Sequence, residues 1–574
     1  MPSIAQAVVL PENIAETIAE KPEMAAALWA WVSAQHYAAV VEQNREHLLV
    51  FVKEQVDFSA VEKACWGYQV YAGAAGQPAT YSLGTLCGAL VVKSLYNWSY
   101  RQTEGEIRSQ SLLRWFVGLG LQEPTPDHLT LWRFAQWVKQ QQRRLFFDET
   151  LKQIDAAFAE ERQATQMGDT FALASRAHDQ SRTTMLRGAC RRLLGYLAPL
   201  TPRGHAQVLT RLDPETLFGA KDERPEQFLD KPERDALEIR TATAAHRCLQ
   251  LVVAQRQALG NRLAANDVVA QALVRWEGIV GKLLRDEFVI TTDPTGVATR
   301  VSHPTKRQKG CYRHGSIVDL DATFRIHGEK IQLGYNANLA VTVNFIREIN
   351  AVTGATPDSA GVADLIANQK QHLGSVPPKF LYDRAAGMPK IFADVARVSD
   401  NQTQLVARLI AYSKSKERFG PGDFTVNNLG QLVCPNGKIA AKAYRSQTAD
   451  GLAYRFLAED CCGCPLWDKC RGNEVKPDAY RQVFISDYTY FQRKALAYTK
   501  TAAFQEDMKL RPHVERIIAA VTRYNGARRA VAYGLDNADF QLKMCAMAYN
   551  LKRWHTLVKE KEKAQRYKPP DPTA

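Results

Sequence analysis

The sequence predicts an α/β protein with a helical N-terminal region and two inserted segments. Three observations predict it. Residues 1–150 and 176–290 carry apolar side chains at helical spacing, and residues 317–383 alternate with a period of two between short turns. Five of the eleven cysteines fall within residues 434–470, where a metal-pinned insertion would place them. At 574 residues the chain has room for several domains. With 46% hydrophobic and 23% charged residues its composition is globular, which excludes disordered and collagen-like classes. The most apolar stretch, 81–92, is stopped by Lys93 short of the ~18 residues of a membrane span, so no membrane partner is expected. The first thirty residues lack a basic start followed by an apolar run, so a cytosolic location is expected.

The charge is basic and uneven. There are 74 Lys/Arg against 60 Asp/Glu, a net charge of +14, and from Arg493 onward 17 basic residues face 8 acidic ones. A basic excess on one segment suits a polyanion partner, although a solvated basic tail, expected over 556–574, gives the same count.

In the N-terminal region a helix begins at Leu83, and a second apolar pattern continues over 104–116. Gly-Leu-Gly-Leu at 118–121 makes a loop, and Thr125-Pro126-Asp127 announces the next helix. On it, His128, Thr130 and Arg133 are expected to project while Leu129 and Trp132 face the core. Helix, loop and polar-faced helix is compatible with a helix-turn-helix DNA reader; two consecutive core helices produce the same pattern more often.

The charge-rich stretch from 176 to about 305 has no Gly or Pro between Glu233 and Leu259, as a long helix would require. Beyond it, 317–326 (IVDLDATFRI) alternates, with Val318, Leu320, Ala322, Phe324 and Ile326 on one side and Asp319, Asp321, Thr323 and Arg325 on the other. A turn at 327–330 and a second alternating run to Thr342 complete a predicted hairpin. A third strand over 345–352, a helix over 361–372 and a short strand over 379–383 follow. Three strands, a helix and another strand is an α/β order of the RNase H-like kind.

Three acids stand out along this order. Asp383 ends the strand KFLYD, and in open α/β sheets functional groups gather beyond the carboxyl ends of strands. Asp169 lies in the β-like run QMGDTFALAS, and Glu515 borders the apolar stripe of the basic helix MKLRPHVERIIAAVTRY. Singly, each also reads as a turn, a cap or a surface ion pair. Among the cysteines, Cys461-x2-Cys464-x5-Cys470 with Cys434 upstream offers four thiolates for a structural, tetrahedral Zn²⁺. Cys462 is then a spare or replaces Cys461, and four free thiols is the other reading.

Together, GDTFALAS, GYNANLAVT, FLYDRAAG, LRPHVERIIAAVTRYNGARRA and MAYNLKRW resemble, in that order, the bacterial insertion-sequence transposases of the DDE type, in a sub-group with a cysteine cluster. EGEIRSQSLLRWFVGL to PDHLTLWRF is similar to that family's helical N-terminal domain, so the likeness spans about residues 80 to 555. The resemblance implies an RNase H-like catalytic domain over 160–555, carrying a helical insertion (176–305) and a cysteine-rich β insertion (415–485), behind a DNA-binding domain over 1–150. It implies Asp169, Asp383 and Glu515 as a catalytic triad holding two Mg²⁺, with Asp319 or Asp321 as a rival first acid. Arg384, Arg511, Arg523, Arg528 and Arg529 join His128, Thr130 and Arg133 as candidate DNA contacts. The related signature Tyr-x2-Arg-x3-Glu-x6-Lys is half present: Met508 and Thr522 stand at its tyrosine and lysine positions, and Arg523 is the nearest replacement cation. The implied activity is cutting double-stranded DNA at terminal inverted repeats and joining the 3′-hydroxyl ends to a target, by a homodimer on paired ends in a bacterial cytoplasm. A repurposed relative that binds DNA without cutting it is the alternative.

Overall fold

The computed structural model describes residues 22–73, 80–260, 267–310, 312–410, 418–471, 476 and 478–566. Its central sheet is laid down by segments far apart in sequence. Strand Gln166–Ala174 pairs antiparallel with Lys330–Val341, which pairs in turn with Ile346–Thr353. On its other side Gln166–Ala174 runs parallel to Lys379–Leu381, and that strand runs parallel to Gln404–Val406. The sheet therefore reads Ile346–Thr353, Lys330–Val341, Gln166–Ala174, Lys379–Leu381, Gln404–Val406, with Thr323–His327 pairing the outer half of the long strand.

Both faces are covered, as strands buried on two sides require. Met167, Phe171, Leu381 and Val406 point to the face packed by helices Leu145–Ala157, Pro512–Tyr524 and Leu535–Arg566. The alternate residues Phe380, Tyr382 and Leu405 pack on helices Val362–Leu373 and Pro389–Val398. The last helix is shared between two cores. Its Ala538, Leu542 and Ala546 meet the sheet, while Met547, Leu551 and Trp554 close the core of the N-terminal helices. That helix reaches Arg566, so much of the tail expected over 556–574 is helical; 567–574 and 1–21 lie outside the described residues.

The two expected insertions each build their own core. Helices Arg182–Leu200, Lys231–Leu259 and Val268–Glu287 bury Leu186, Leu193, Ala245, Val252, Trp276 and Val280 together. Strands Lys442–Arg445, Gly451–Phe456 and Arg481–Ser486 form a small sheet over Phe424, Leu432, Tyr454, Phe456 and Val483.

Three local expectations need correction. The apolar pattern over 104–116 is two helices, Tyr100–Ser109 and Ser111–Val117, because Gln110 is extended (φ −112°, ψ 120°). The first hairpin strand is Thr323–His327, not 317–326: Val318 is exposed and Asp319 is buried, the reverse of the alternation. Asp319 is held there by O–H donors from Ser175 (2.5 Å) and Tyr335 (2.6 Å) and by the Gly534 N–H (3.1 Å). On helix His128–Gln142 the buried residues are Leu131, Phe134, Ala135 and Val138, leaving Leu129 and Trp132 about half exposed instead of facing the core.

Candidate active site

The site is set by strand register. Met167 lies opposite Leu381 in the parallel pair Gln166–Ala174/Lys379–Leu381. Two residues farther along each chain stand Asp169 and Asp383, and the period of two keeps both on the face of Met167 and Leu381. That face is packed by helix Pro512–Tyr524 through Val514, Ile517 and Val521, and Glu515 sits in its first turn. Acids 130 or more residues apart in sequence thus converge. Asp383 and Glu515 line one cleft of about 610 Å³ together with Arg384, Arg408, Met508 and Arg511. Asp169 joins through Arg511, whose Nη2 donates to its Oδ2 at 3.0 Å.

Close packing holds the strands at this point. A Cβ on Gly168 would stand 2.5 Å from the Phe380 ring and 2.6 Å from that of Tyr382, so only glycine admits the approach that brings Asp169 beside Asp383. Tyr382 is buried and donates through its hydroxyl to the Asp358 carbonyl at 2.9 Å. Burial also pushes the Tyr382 phenol up, helped by the negative charges of Asp169 and Asp383.

The electrostatics are unbalanced. Burial raises the Asp169 carboxyl above its ordinary value; the Thr170 N–H and Arg511 pull it down, and Asp383 and Asp358 push it up again. Asp358, which the sequence reading missed, accepts from the Thr170 hydroxyl at 2.6 Å and pairs with Arg325 at 3.4 Å. It follows Thr-Pro in a loop with no regular pattern, so only the fold signals it. Asp383 accepts from the Ala385 N–H at 2.9 Å, and Glu515 is exposed to solvent.

The other candidates are distributed as follows. Arg384 is exposed at the cleft; Arg523 is exposed farther along the Glu515 helix. The Thr522 hydroxyl turns back to the Ile518 carbonyl (2.7 Å). Arg528 and Arg529 are exposed beside Ala174, whose N–H donates to the Arg528 carbonyl at 3.1 Å. Asp319 and Asp321 are not in the cleft's lining. Asp321 accepts from the Leu535 N–H (2.9 Å) at the start of the last helix, so both rival acids cap backbone there. In the N-terminal region His128 meets Glu104 at 2.9 Å, Thr130 donates its N–H to the Asp127 cap at 2.7 Å, and Arg133 is exposed with no ion pair among the described residues. The linker 118–127 is longer than the three- to four-residue turn of a helix-turn-helix.

Cys434, Cys461, Cys464 and Cys470 line one pocket of about 30 Å³, the room of a single water or ion. Cys462 is exposed and is not among that lining. The Lys438 N–H donates to the Cys434 sulfur at 3.3 Å, and burial raises the Cys461 and Cys470 thiols against the pull of nearby Arg471. Among the described residues, the one group of three metal-type donor atoms within 4.8 Å of each other is Asp235, Glu238 and His303. The four sulfurs are therefore more open than the ~3.8 Å edges implied by ~2.3 Å Zn–S bonds. Asp235 and Glu238 are already matched by Lys231 (2.9 Å) and Arg182 (2.8 Å), which makes that group an ion-paired cluster of the helical insertion. No helix among the described residues is long and apolar enough to cross a membrane.

Two family models match the chain. Residues 433–555 match one described as a transposase DDE domain, and residues 39–137 match one described as a transposase domain (DUF772). The first covers Glu515 but neither Asp169 nor Asp383. No curated protein and no solved structure matches.

Proposed function

From the premise that the chain belongs to the insertion-sequence transposases of the DDE type, we propose that it cuts DNA at the ends of its element and joins the 3′-hydroxyl ends to a target. The observation that carries this reading is the convergence of Asp169, Asp383 and Glu515 on one cleft. The strand order, three antiparallel strands continued by two parallel ones, supports an RNase H-like catalytic domain.

The donor set fits a hard cation, because three carboxylates from separate segments supply oxygen alone and leave room for water. Bound there, a pair of Mg²⁺ would activate a water or a 3′-hydroxyl and stabilise the leaving oxygen. Asp169, Asp383 and Glu515 would hold them. Arg384 and Arg408 are placed to grip the phosphodiester, and Arg511 neutralises Asp169 while the cleft is free of DNA. Arg523, Arg528, Arg529 and the exposed Arg133 extend a basic surface for duplex DNA. Two ends must be cut together, so a homodimer on paired ends is the proposed active form. Zn²⁺ on Cys434, Cys461, Cys464 and Cys470 would close the thiol pocket and pin the small β insertion, with no open position for chemistry.

The test uses a plasmid carrying the reading frame with its native flanks, incubated with the full-length protein and Mg²⁺. Breaks at the flanking repeats, and joining when pre-cut ends are supplied, are expected. DNA binding without breaks in wild-type protein would favour the repurposed, non-cutting alternative. Breaks without joining would reduce the protein to a nuclease.

A further inference from the structure

Outside the acid cleft, the seam between the N-terminal helices and the C-terminal helix opens into a cavity of about 990 Å³, at the upper end of the ~300–1,000 Å³ range of small-ligand sites. Two kinds of side chain meet there. The first is aromatic. Trp98, Tyr100 and Trp132 form part of its wall, and Trp132 is 48% exposed on a helix whose opposite side is packed. Trp98 is propped from behind by Tyr96, ring centroids 4.5 Å apart and planes 17° from parallel, so it presents a stiff flat surface.

The second kind is cationic. Lys93, Arg176 and Arg529 line the same cavity, and among the described residues no acidic one lines it. Lys93 is half-buried and has no ion pair among the described residues; its ammonium lies over the Tyr100 ring, 4.8 Å from the centroid. Burial pulls its pKa down, as expected for a charge the fold leaves uncompensated. A desolvated ammonium facing a cavity with flat apolar walls calls for a ligand with both an anionic group and an aromatic face.

We propose that this cavity takes an unpaired nucleotide of the DNA, its base against Trp132 and Trp98 and its phosphate toward Lys93 and Arg529. Stacking platforms beside a cationic track hold single strands with little regard to sequence, whereas a paired base keeps its faces inside the duplex. Placement agrees. Arg529 lies beside Ala174, five residues from Asp169 on one strand, which is ~16 Å at ~3.3 Å per residue. That is roughly five steps of duplex at ~3.4 Å each, so one DNA can reach both the cleft and the cavity. The assignment rests on DNA as the substrate but not on the three acids.

The experiment is a fluorescence-anisotropy titration of full-length protein with a labelled oligothymidine of about ten nucleotides, beside a blunt duplex of random sequence. Trp132→Ala is expected to weaken oligothymidine binding about 5- to 150-fold, the range for one lost stacking partner, with Trp132→Phe restoring most of it. Lys93→Met should weaken it too and flatten its salt dependence, while duplex binding changes by less than about twofold in each variant. Wild-type affinity for oligothymidine in a folded Trp132→Ala protein would overturn the assignment, and so would equal losses for single strand and duplex. Asp383→Asn separates the two readings. It should bind oligothymidine yet fail to cut, and normal cutting by that variant would sink the acid cleft while leaving the cavity standing.

Discussion

Two charged clusters sit on the same sheet and are built on opposite plans. Around Glu348, whose side chain is fully buried, Arg144 donates to both carboxylate oxygens at 2.9 and 2.8 Å and Lys543 donates at 2.6 Å. Asp148 completes the set at 3.0 Å from Arg144. Around Asp169, by contrast, Asp383 and Asp358 gather while Arg511 alone pairs with it directly, and Glu515 lines the cleft with Asp383. The two acids respond in opposite directions. Burial pushes the Glu348 carboxyl up, but Lys543 and Arg144 outweigh it and hold the group below its ordinary value. Asp169 is less buried and still raised, because burial, with a smaller push from Asp383 and Asp358, outweighs the Thr170 N–H and Arg511. A cluster that holds the fold is sealed and neutralised from within, whereas the cleft leaves negative charge for something outside the chain to neutralise.

The largest test of that contrast removes one unneutralised charge. Asp383→Asn should lower cleavage by more than about 10³-fold, beyond the ~10²–10³ lost with a single electrostatic contact. Its thermal midpoint should stay within a few degrees of wild type or rise, since a like-charge neighbour has been removed. A gel assay of end cleavage and a melting curve read the two halves. A large loss of stability would mean that this cluster, too, holds the fold.

Glu348→Gln should give the reverse pattern. It leaves Lys543 and Arg144 buried with their carboxylate gone, at a cost of ~3–5 kcal/mol by denaturant titration, while folded protein still cuts. The pH dependence has a defined sign. Because the folded carboxyl titrates below its ordinary 4.5, its contribution is full above pH 4.5 and is lost as pH falls through the folded value. Wild type should therefore lose stability more steeply than Glu348→Gln below pH 4.5, and parallel curves would count against the network.

The thiol pocket is a third case, half-buried and without an internal counter-charge sufficient for four thiolates. Purified full-length protein is expected to contain about one zinc per chain. Cys464→Ser should lower zinc content and the melting temperature together, with the exposed Cys462→Ser changing neither. Soluble, active protein free of zinc would leave these as four structural thiols.

How much of this could be read from the sequence follows the range of the interactions. Asp383 at a strand end and the density of thiols are local signals, and they led to the places where the structure gathers side chains. The buried stripe Leu131, Phe134, Ala135, Val138 was also legible, being i, i+3, i+4, i+7; weighing Leu129 and Trp132 by hydrophobicity alone obscured it. The run 317–322 alternates like a strand, but the O–H and N–H groups that bury Asp319 come from Ser175, Tyr335 and Gly534, two of them more than 140 residues away. Nothing local marks Glu348 as buried either, since its partners lie 204 and 195 residues away. Long-range polar contacts leave no period in the sequence, and they decide where Asp319 and Glu348 lie.

Arg511 shows the same limit and supplies the smallest and sharpest test. Its place four residues before Glu515 suggests a local helix pair, yet it turns to Asp169, 342 residues away, with its Nε buried and without an acceptor. If its role is to occupy an acid until substrate arrives, Arg511→Gln should raise the affinity of DNA-free protein for Mn²⁺, used as a spectroscopic substitute for Mg²⁺. Two unit charges ~4 Å apart interact by ~1 kcal/mol even at the dielectric of water, so about a fivefold gain is the least expected. Cleavage should nevertheless fall, because the same guanidinium is placed to meet phosphate in the cleft. Calorimetry or electron paramagnetic resonance reads the Mn²⁺ affinity without requiring turnover. Equal Mn²⁺ affinity in wild type and Arg511→Gln would mean the ion pair does not compete with metal, and the balance of charge in the cleft would then have to be set by Arg384 and Arg408.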